Sequence, residues 1–150
     1  MRVVIQRVNR AKVRVQEEVK GNIHKGLLIL VGIESGDSYK DSLWLANKIS
    51  NIRLFDDENG LMNKSIVDIG GEVIVVSQFT LHAKTRKGNR PSFIQAAPPD
   101  LAIKIYDKFK DDLSSAISQE VQSGEFGANM EVSLINDGPV TIIIDTKNKE

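Results

Sequence analysis

The sequence contains no cysteine, only two histidines and few aromatic residues. Without cysteine the chain has no disulfide framework, no thiol nucleophile and no thiolate metal site. The two histidines, His24 and His82, are too few for a histidine-rich metal centre. EF-hand and zinc-protease patterns are absent as well. We therefore expect a protein that works without a metal.

Long apolar runs are also missing. The longest, Leu27 to Val31, is far shorter than the roughly 20 residues that a membrane-spanning helix requires. Nothing resembles a signal peptide, and no glycine-rich phosphate-binding motif follows a predicted strand. The sequence thus predicts a cytoplasmic protein without membrane contact and without a nucleotide cofactor.

The charges balance overall but not locally. Twenty basic and twenty acidic residues give a formal net charge of zero, yet no acid lies between Glu72 and Asp100. One short segment of that stretch holds four cations: Lys84, Arg86, Lys87 and Arg90. A basic cluster can neutralise phosphates of nucleic acid, although a solvated surface is its commoner meaning. Composition alone leaves both interpretations open.

The apolar pattern predicts a strand-dominated α+β domain. Alternating or continuous apolar runs predict strands at residues 2–8, 11–16, 26–33, 72–81, 131–135 and 140–145. The first two are expected to be joined at Asn9-Arg10. Amphipathic helices are predicted from about Ser38 to Ser50 and from Pro98-Pro99-Asp100 onward. Because the helices do not alternate regularly with strands, a doubly wound parallel sheet is not expected. The length fits one domain, residues 1–150.

A predicted strand ends in a group of polar residues around one phenylalanine: Ser77, Gln78, Phe79 and Thr80. Hydroxyl and amide groups at a strand end are held rigidly, which suits ligand binding. A hydroxyl becomes a nucleophile when a base activates it, and the nearest candidate, His82, has no acid close by in sequence. Hydrogen bonds to neighbouring backbone, and a core position for Phe79, are simpler interpretations of the same residues.

The residues Asn136-Asp137-Gly138-Pro139 interrupt the last apolar run. Asn, Asp and Gly tolerate positive φ, so this cluster is typical of a hairpin turn. Proline at the start of the following strand sits where its missing N–H does least harm. On spacing alone, these residues predict a turn between two strands.

Taken together, SQFTL at 77–81 and NDGPVT at 136–141 resemble the two signature motifs of the D-aminoacyl-tRNA deacylases. Further segments resemble that family's pattern in the same order: MRVVIQRV, GLLILVGI, KISNIRLFDDENGLMN, KGNRPSF and GEFGANM. The resemblance covers residues 1 to 146, without a departure in either signature.

The resemblance implies a β-rich, barrel-like domain with two main helices packed outside, working as a homodimer with active sites at the subunit interface. It implies hydrolysis of the ester between a D-amino acid and the 3′-terminal adenosine of tRNA, which releases both. Glycyl-tRNA, including tRNA(Ala) mischarged with glycine, is a further expected substrate, because glycine has no side chain to exclude. No cofactor is expected.

The resemblance also assigns roles to the polar strand end. Ser77, Gln78, Phe79 and Thr80 are expected to line the catalytic pocket, and backbone N–H groups near Phe79 and Thr80 are expected to stabilise the oxyanion. Two routes for the attack remain open. Either Thr80 is the nucleophile, or the 2′-hydroxyl of the terminal adenosine assists a water molecule. The lack of a base near Thr80 favours the second route.

Three further assignments concern the rest of the pocket. Gly138 and Pro139 are expected to enter the partner's pocket as a cis pair and to exclude L side chains by clash. Met130 either borders the pocket or belongs to the core. The basic cluster at residues 84–90, by its charge and position, is expected to grip phosphates near the acceptor end of tRNA.

Two other functions compete with this one. The first is a non-catalytic RNA-binding protein that uses the same basic surface. The second is a small-molecule esterase in which Thr80 or Ser77 is the nucleophile and His82 the base. A signature of a standard RNA-binding module is absent, and both motifs occur together, so the deacylase is the preferred hypothesis.

Overall fold

The computed structural model describes residues 1–149. Within that range the chain forms eight strands, two α-helices and one short 3-10 helix, Phe79–His82. The strands are β1 (Arg2–Val15), β2 (Glu18–Ile23), β3 (Gly26–Gly32), β4 (Phe55–Asp56), β5 (Met62–Lys64), β6 (Glu72–Ser77), β7 (Gln122–Ser123) and β8 (Glu131–Asp145). The helices are α1 (Tyr39–Asn51) and α2 (Pro99–Ile117). Neither is long and apolar enough to cross a membrane, nor is any other helix of the described residues.

Strand β1 is the centre of the sheet. It pairs antiparallel with β3 through its first half, with β2 through its second half and with β8 on its other edge. Strands β3, β6 and β7 continue the sheet in parallel. The sheet curls back so far that a Cβ added to Gly21 of β2 would lie 2.9 Å from Ile74 Cδ1 of β6. The predicted α+β, barrel-like architecture with two helices is confirmed.

The two faces of the curled sheet bury separate apolar cores. The outer core joins the sheet to the helices, with Ile5 and Ile29 packed among α1 and α2 residues such as Leu45 and Phe109. The inner core fills the barrel and is made of Val8, Ala11, Val13, Ile23, Leu28, Ile74 and Val76. Because alternate side chains of a strand point to opposite faces, the continuous apolar run of β3 serves both cores.

The helices begin where local chemistry satisfies their first N–H groups. Ser38 caps α1, and its backbone N–H donates to Asp41 Oδ2 at 2.9 Å. Burial raises the pKa of the Asp41 carboxyl, but hydrogen bonds from Ser38, Thr146 and Lys147 together outweigh it and hold that pKa well below its usual range. Pro99 occupies the first turn of α2, where its missing N–H is harmless. Both predicted helix starts are confirmed within two residues.

The predicted turn at Asn9-Arg10 is wrong. Residues 2–15 form one strand, because β8 pairs with both halves of β1 and bridges the interruption. The ladder only shifts register between Gln6 and Arg10. The actual turn lies at Gln16 and Glu17, which both have positive φ. Since neither is glycine or asparagine, the sequence contained no turn signal, and β2 was missed.

The predicted hairpin at residues 136–139 is also wrong. Strand β8 runs without reversal from Glu131 to Asp145, and its pairing with β1 resumes beyond the interruption, at Thr141 opposite Gln6. Residues 137–140 are therefore an unpaired, irregular segment inside one strand, opposite the register shift between Gln6 and Val8 of β1. Local turn chemistry lost to long-range strand pairing.

The predicted strand 72–81 is too long. Strand β6 ends at Ser77, and Phe79–His82 turn into the 3-10 helix. This change of direction places the SQFT residues across the end of the sheet, and the apolar periodicity did not reveal it.

Candidate active site

A cavity of about 760 Å³ opens where β6 ends. Four of the residues predicted to form the site contribute to its wall: Ser77, Gln78, Phe79 and Met130. The rest of the wall is mainly apolar and includes Val31, Phe93, Ala97, Pro98, Ala102, Phe126 and Val132. A mainly apolar cavity with a few polar groups at one end is typical of a small-molecule or cofactor site.

The 3-10 helix presents unpaired donors beside this cavity. Gln78 N donates to Val31 O at 2.8 Å, and Leu81 N donates to Gln78 O at 3.2 Å. Leu81 is thus the first residue whose N–H is bonded within the turn. The N–H groups of Phe79 and Thr80 precede it and have no acceptor in the helix, as at any helix start. They can therefore donate to a bound group.

The Thr80 hydroxyl has no base beside it. Gln78 Nε2 donates to Thr80 Oγ1 at 2.5 Å, and Thr80 does not line the cavity. His82 is 3% exposed, and its Nε2 has no hydrogen-bond partner among the described residues. Thr80 and His82 therefore form no hydrogen-bonded pair, which removes the geometric basis of the esterase alternative in its Thr80 form.

Phe79 is not a core residue, since 56% of its surface is exposed. Its ring meets the ring of Phe93 edge-on, with centroids 5.0 Å apart. Phe93 follows the basic cluster in sequence, so this contact joins the 3-10 helix to the loop that carries the cluster. The pair forms an apolar rim on the cavity.

Met130 combines the two positions predicted for it as alternatives. It lines the cavity, and it also packs against the inner core. A Cβ added to Gly124 would overlap Met130 Sδ, so the Met130 side chain packs directly against this glycine and would have to move if it were alanine. Met130 therefore borders the site from a half-buried position.

Gly138 and Pro139 lie outside the cavity of their own chain. Both residues are exposed on β8, and the peptide bond between them is cis. Gly138 has φ +128°, and a Cβ added there would lie 2.9 Å from Val140 N. Within one chain, therefore, the two signature motifs are not brought together around one cavity.

Arg7 holds the segment before Gly138, and sequence reasoning missed it. Its Nε donates to Asp137 O at 3.1 Å, and its Nη1 donates to Leu54 O at 2.6 Å. The side chain is buried, on the same strand face as Val3 and Ile5. A signal for it was present: strict alternation along β1 places an arginine on the apolar face, where a charge needs partners.

The basic cluster forms an exposed loop close to the cavity. Its ends are tied by Lys84 N donating to Ser92 O at 2.8 Å and Ser92 N donating to Lys84 O at 3.0 Å. All four cations are exposed, and none has an ion-pair partner within residues 1–149: Lys84, Arg86, Lys87 and Arg90. Their charge is available to an external anion.

Comparison with known proteins identifies the family. The family model described as D-Tyr-tRNA(Tyr) deacylase matches residues 4–145. The chain belongs to this family of hydrolases. It is 61% identical to a D-aminoacyl-tRNA deacylase of Bacteroides fragilis and 58% identical to one of Flavobacterium psychrophilum, in each case over 100% of both chains.

Two solved structures share the fold. The c-Myc DNA unwinding element binding protein superimposes with a TM-score of 0.92 at 40% identity, covering 97% of this chain and 99% of that one. A probable eukaryotic D-amino acid tRNA deacylase superimposes with a TM-score of 0.84 at 16% identity, covering 95% and 97%. The second likeness concerns the fold alone.

Proposed function

We propose that this deacylase-family protein hydrolyses the ester bond of D-aminoacyl-tRNA and releases free D-amino acid and tRNA. The observation that carries the proposal is the cavity at Ser77, Gln78 and Phe79 in a chain of this family. Glycyl-tRNA, including glycine mischarged on tRNA(Ala), is a further proposed substrate. Such an enzyme acts in the cytoplasm, where charged tRNA is used, and corrects errors of chirality in translation.

The proposed chemistry is attack of water on the ester carbonyl. The tetrahedral oxyanion is stabilised by the N–H groups of Phe79 and Thr80, which have no acceptor in the 3-10 helix. The bond to the 3′-oxygen of the terminal adenosine then breaks, and that oxygen takes up a proton as it leaves. With the Thr80 hydroxyl bonded to Gln78 and no base at hand, the adenosine 2′-hydroxyl is proposed to assist the water.

Rejection of L-aminoacyl-tRNA is proposed to come from Gly138 and Pro139 of the partner subunit, acting as a Gly-cisPro element. A cavity of suitable size does not distinguish mirror images, whereas a fixed group in the space of the L side chain does. Arg7 holds the backbone at Asp137, which supports a fixed position for the pair that follows. Glycine passes, because it has no side chain to collide.

A homodimer is part of this proposal, because the exposed pair and the cavity are separated within one chain. Support comes from β8, where Leu134, Ile135 and Ile143 are large apolar residues with exposed surface. Exposed apolar residues around a functional segment are typical of an interface. A two-fold dimer placing β8 against the partner would use the same surface on both subunits.

The direct test compares hydrolysis of D-Tyr-tRNA and L-Tyr-tRNA by the purified protein. We expect release of D-tyrosine and no release of L-tyrosine above the spontaneous rate. Equal cleavage of both would contradict the role of Gly138 and Pro139. Cleavage of neither would contradict the deacylase itself.

Dimers of two different inactive variants test whether Gly138 and Pro139 act in the cavity of the partner subunit. Phe79→Ala and Gly138→Ala variants, each expected to be nearly inactive, are unfolded together and refolded. In a random mixture half of the dimers are mixed, and each of those has one intact composite site, so about a quarter of wild-type activity should return. No recovery would show that both motifs act in the same subunit.

A second candidate is binding of nucleic acid without catalysis. It is favoured by the four unpaired cations of the basic loop and by the 40% identity to a protein whose name describes DNA binding. Filter binding of uncharged tRNA and of duplex DNA, run beside the deacylation assay, separates the two functions. Binding without ester cleavage would favour this candidate.

A further inference from the structure

The 3-10 helix that presents the Phe79 and Thr80 N–H groups is tied to the start of β1 and the end of β8. Arg2 Nη1 donates to Leu81 O at 2.8 Å, while Arg2 Nε and Nη2 lie 2.9 and 2.8 Å from Asp145 Oδ2. One guanidinium thereby connects a carbonyl of this helix to the strand that carries Gly138 and Pro139.

We propose that Arg2 is a positioning residue for the reaction. It holds the 3-10 helix in the position in which the N–H groups of Phe79 and Thr80 donate to the oxyanion. This inference rests on the proposed function of the cavity. Arg2 acts through the Leu81 carbonyl, and its two side-chain hydrogen-bond partners, Leu81 and Asp145, do not line the cavity. Its effect is therefore on the geometry of the donors and not on binding of the substrate.

Strand β3 packs closely against the 3-10 helix and restricts its position. Gly32 is the β3 residue paired with Arg2. A Cβ added to Gly32 would lie 3.0 Å from each of Gln78 O, His82 Cδ2 and Leu81 Cβ. Close packing against Gly32 prevents the 3-10 helix from moving toward β3, and the hydrogen bond from Arg2 to Leu81 O restrains it from moving away.

The chemistry of the link explains why arginine stands here. A guanidinium has donors in a fixed plane and can serve two acceptors in different directions at once. The ammonium group of lysine is a single point of charge and has no such fork. Asp145 also fixes the guanidinium itself, and the exposed fraction of the Arg2 side chain, 40%, makes the ion pair a weak contributor to global stability. The Arg2 side chain therefore acts mainly by fixing the orientation of the Leu81 carbonyl.

The test is steady-state deacylation of D-Tyr-tRNA by Arg2→Met, with Arg53→Met as the matched control. Arg53 is an exposed arginine whose Nη1 lies 3.3 Å from Asn63 Oδ1, in the short β4–β5 hairpin. For Arg2→Met we expect kcat to fall about ten-fold, since small displacements of catalytic donors are costly, with KM within about two-fold of wild type. The Arg53 variant should match wild type in both constants.

Two conservative variants separate positioning from folding. Arg2→Lys keeps the charge but not the fork, so its kcat should lie between those of Arg2→Met and wild type. Asp145→Asn keeps the Leu81 bond, so kcat should fall only about two- to three-fold. If Arg2→Met does not fold at the assay temperature, the ranking of these two variants against wild type carries the test.

Failure of this inference differs from failure of the proposed function. A wild-type protein that does not cleave D-Tyr-tRNA overturns both. Active wild type with an unchanged kcat in Arg2→Met overturns the inference alone. So does a loss that falls on KM, because Arg2 would then act in tRNA binding.

Discussion

Strands β3 and β8 both pair with β1, but they meet their surroundings differently. β3 is covered on both faces and is almost entirely buried, whereas most residues of β8 are exposed. Ile29 of β3 lies opposite Ile5 and is 0% exposed, while Ile143 of β8 lies opposite Val4 and is 67% exposed. Pairing with β1 therefore does not account for the difference in burial between the two strands. Strand β3 is covered by residues of its own chain, whereas β8 leaves one surface uncovered by the chain.

The largest expected effect is a difference in the free energy of unfolding between alanine variants of β3 and β8. Ile29→Ala leaves a cavity in the outer core, so the free energy of unfolding should fall by about 3–4 kcal/mol. Ile143→Ala removes an exposed side chain and should cost less than about 1 kcal/mol. Urea unfolding of both variants at low protein concentration measures the difference. Similar losses would mean that β8 is as well covered as β3.

The second effect concerns activity at the irregular segment of β8. Gly138→Ala places a Cβ 2.9 Å from Val140 N in a backbone with φ +128°, so the segment must move. We expect deacylation of D-Tyr-tRNA to fall about 100-fold, because the displaced segment no longer fits the proposed site.

The control for that variant is Gly36→Ala. A Cβ at Gly36 would meet nothing within 4 Å, and its activity should equal that of wild type. An active Gly138→Ala enzyme with intact discrimination would show that β8 has no part in the reaction.

The third effect tests the exposed apolar surface of β8. Ile135→Glu puts a carboxylate into the proposed interface, where burial of an unpaired charge is costly. The dimer dissociation constant should rise at least about ten-fold, with loss of deacylation and retention of the fold. Analytical ultracentrifugation measures it. Val67→Glu, at an exposed apolar position between β5 and β6, is the control and should behave as wild type. Identical sedimentation of the two variants would contradict the proposed interface.

The smallest effect concerns the end of β8. Burial raises the pKa of Asp145, but hydrogen bonds from Lys147 N and Arg2 outweigh it and leave the pKa below its usual value. A carboxyl with a lowered folded pKa contributes stability above its unfolded pKa, near 4, and loses it as the pH falls through the folded value.

Asp145→Asn should therefore lower stability at pH 7 by about 0.5–1 kcal/mol, and its difference from wild type should shrink between about pH 5 and 3. Thermal unfolding at pH 7, 5 and 3 measures it. Asp111→Asn, at an exposed position on α2, should differ little from wild type at every pH. A constant difference for Asp145→Asn would mean that the ion pair is not formed.

Local rules predicted the elements whose signals are local. The apolar stripe after Ser38 and the prolines at 98–99 predicted both helix starts, and the apolar run of residues 26–33 predicted the buried strand. The errors came where distant residues decide. Asn9-Arg10 and residues 136–139 have the composition of turns, yet the long ladder between β1 and β8 carries the chain straight through both.

The candidate site divides in the same way. Ser77, Gln78 and Phe79 were assigned to the pocket because SQFTL resembles a family signature at the polar end of an apolar strand, and the cavity lies beside them. The separation of Gly138 and Pro139 from that cavity follows from no local pattern, because it depends on which strands pair; only the family resemblance implied it. The alternation of β1 marked Arg7 as an arginine on an apolar face, but its partners, Leu54 and Asp137, lie 47 and 130 residues away and were not predictable.

The sequence by itself determined what local chemistry can encode: two amphipathic helices, a buried central strand, a family membership carried by motifs, and a basic loop. Tertiary structure alone decided that β1 and β8 are single long strands, that SQFT turns across the end of the sheet, and that Arg2 reaches Leu81 and Asp145. The physical reason is that backbone pairing over many residues outweighs the modest preference of a few residues for a turn. Only the folded sheet brings such residues within bonding distance.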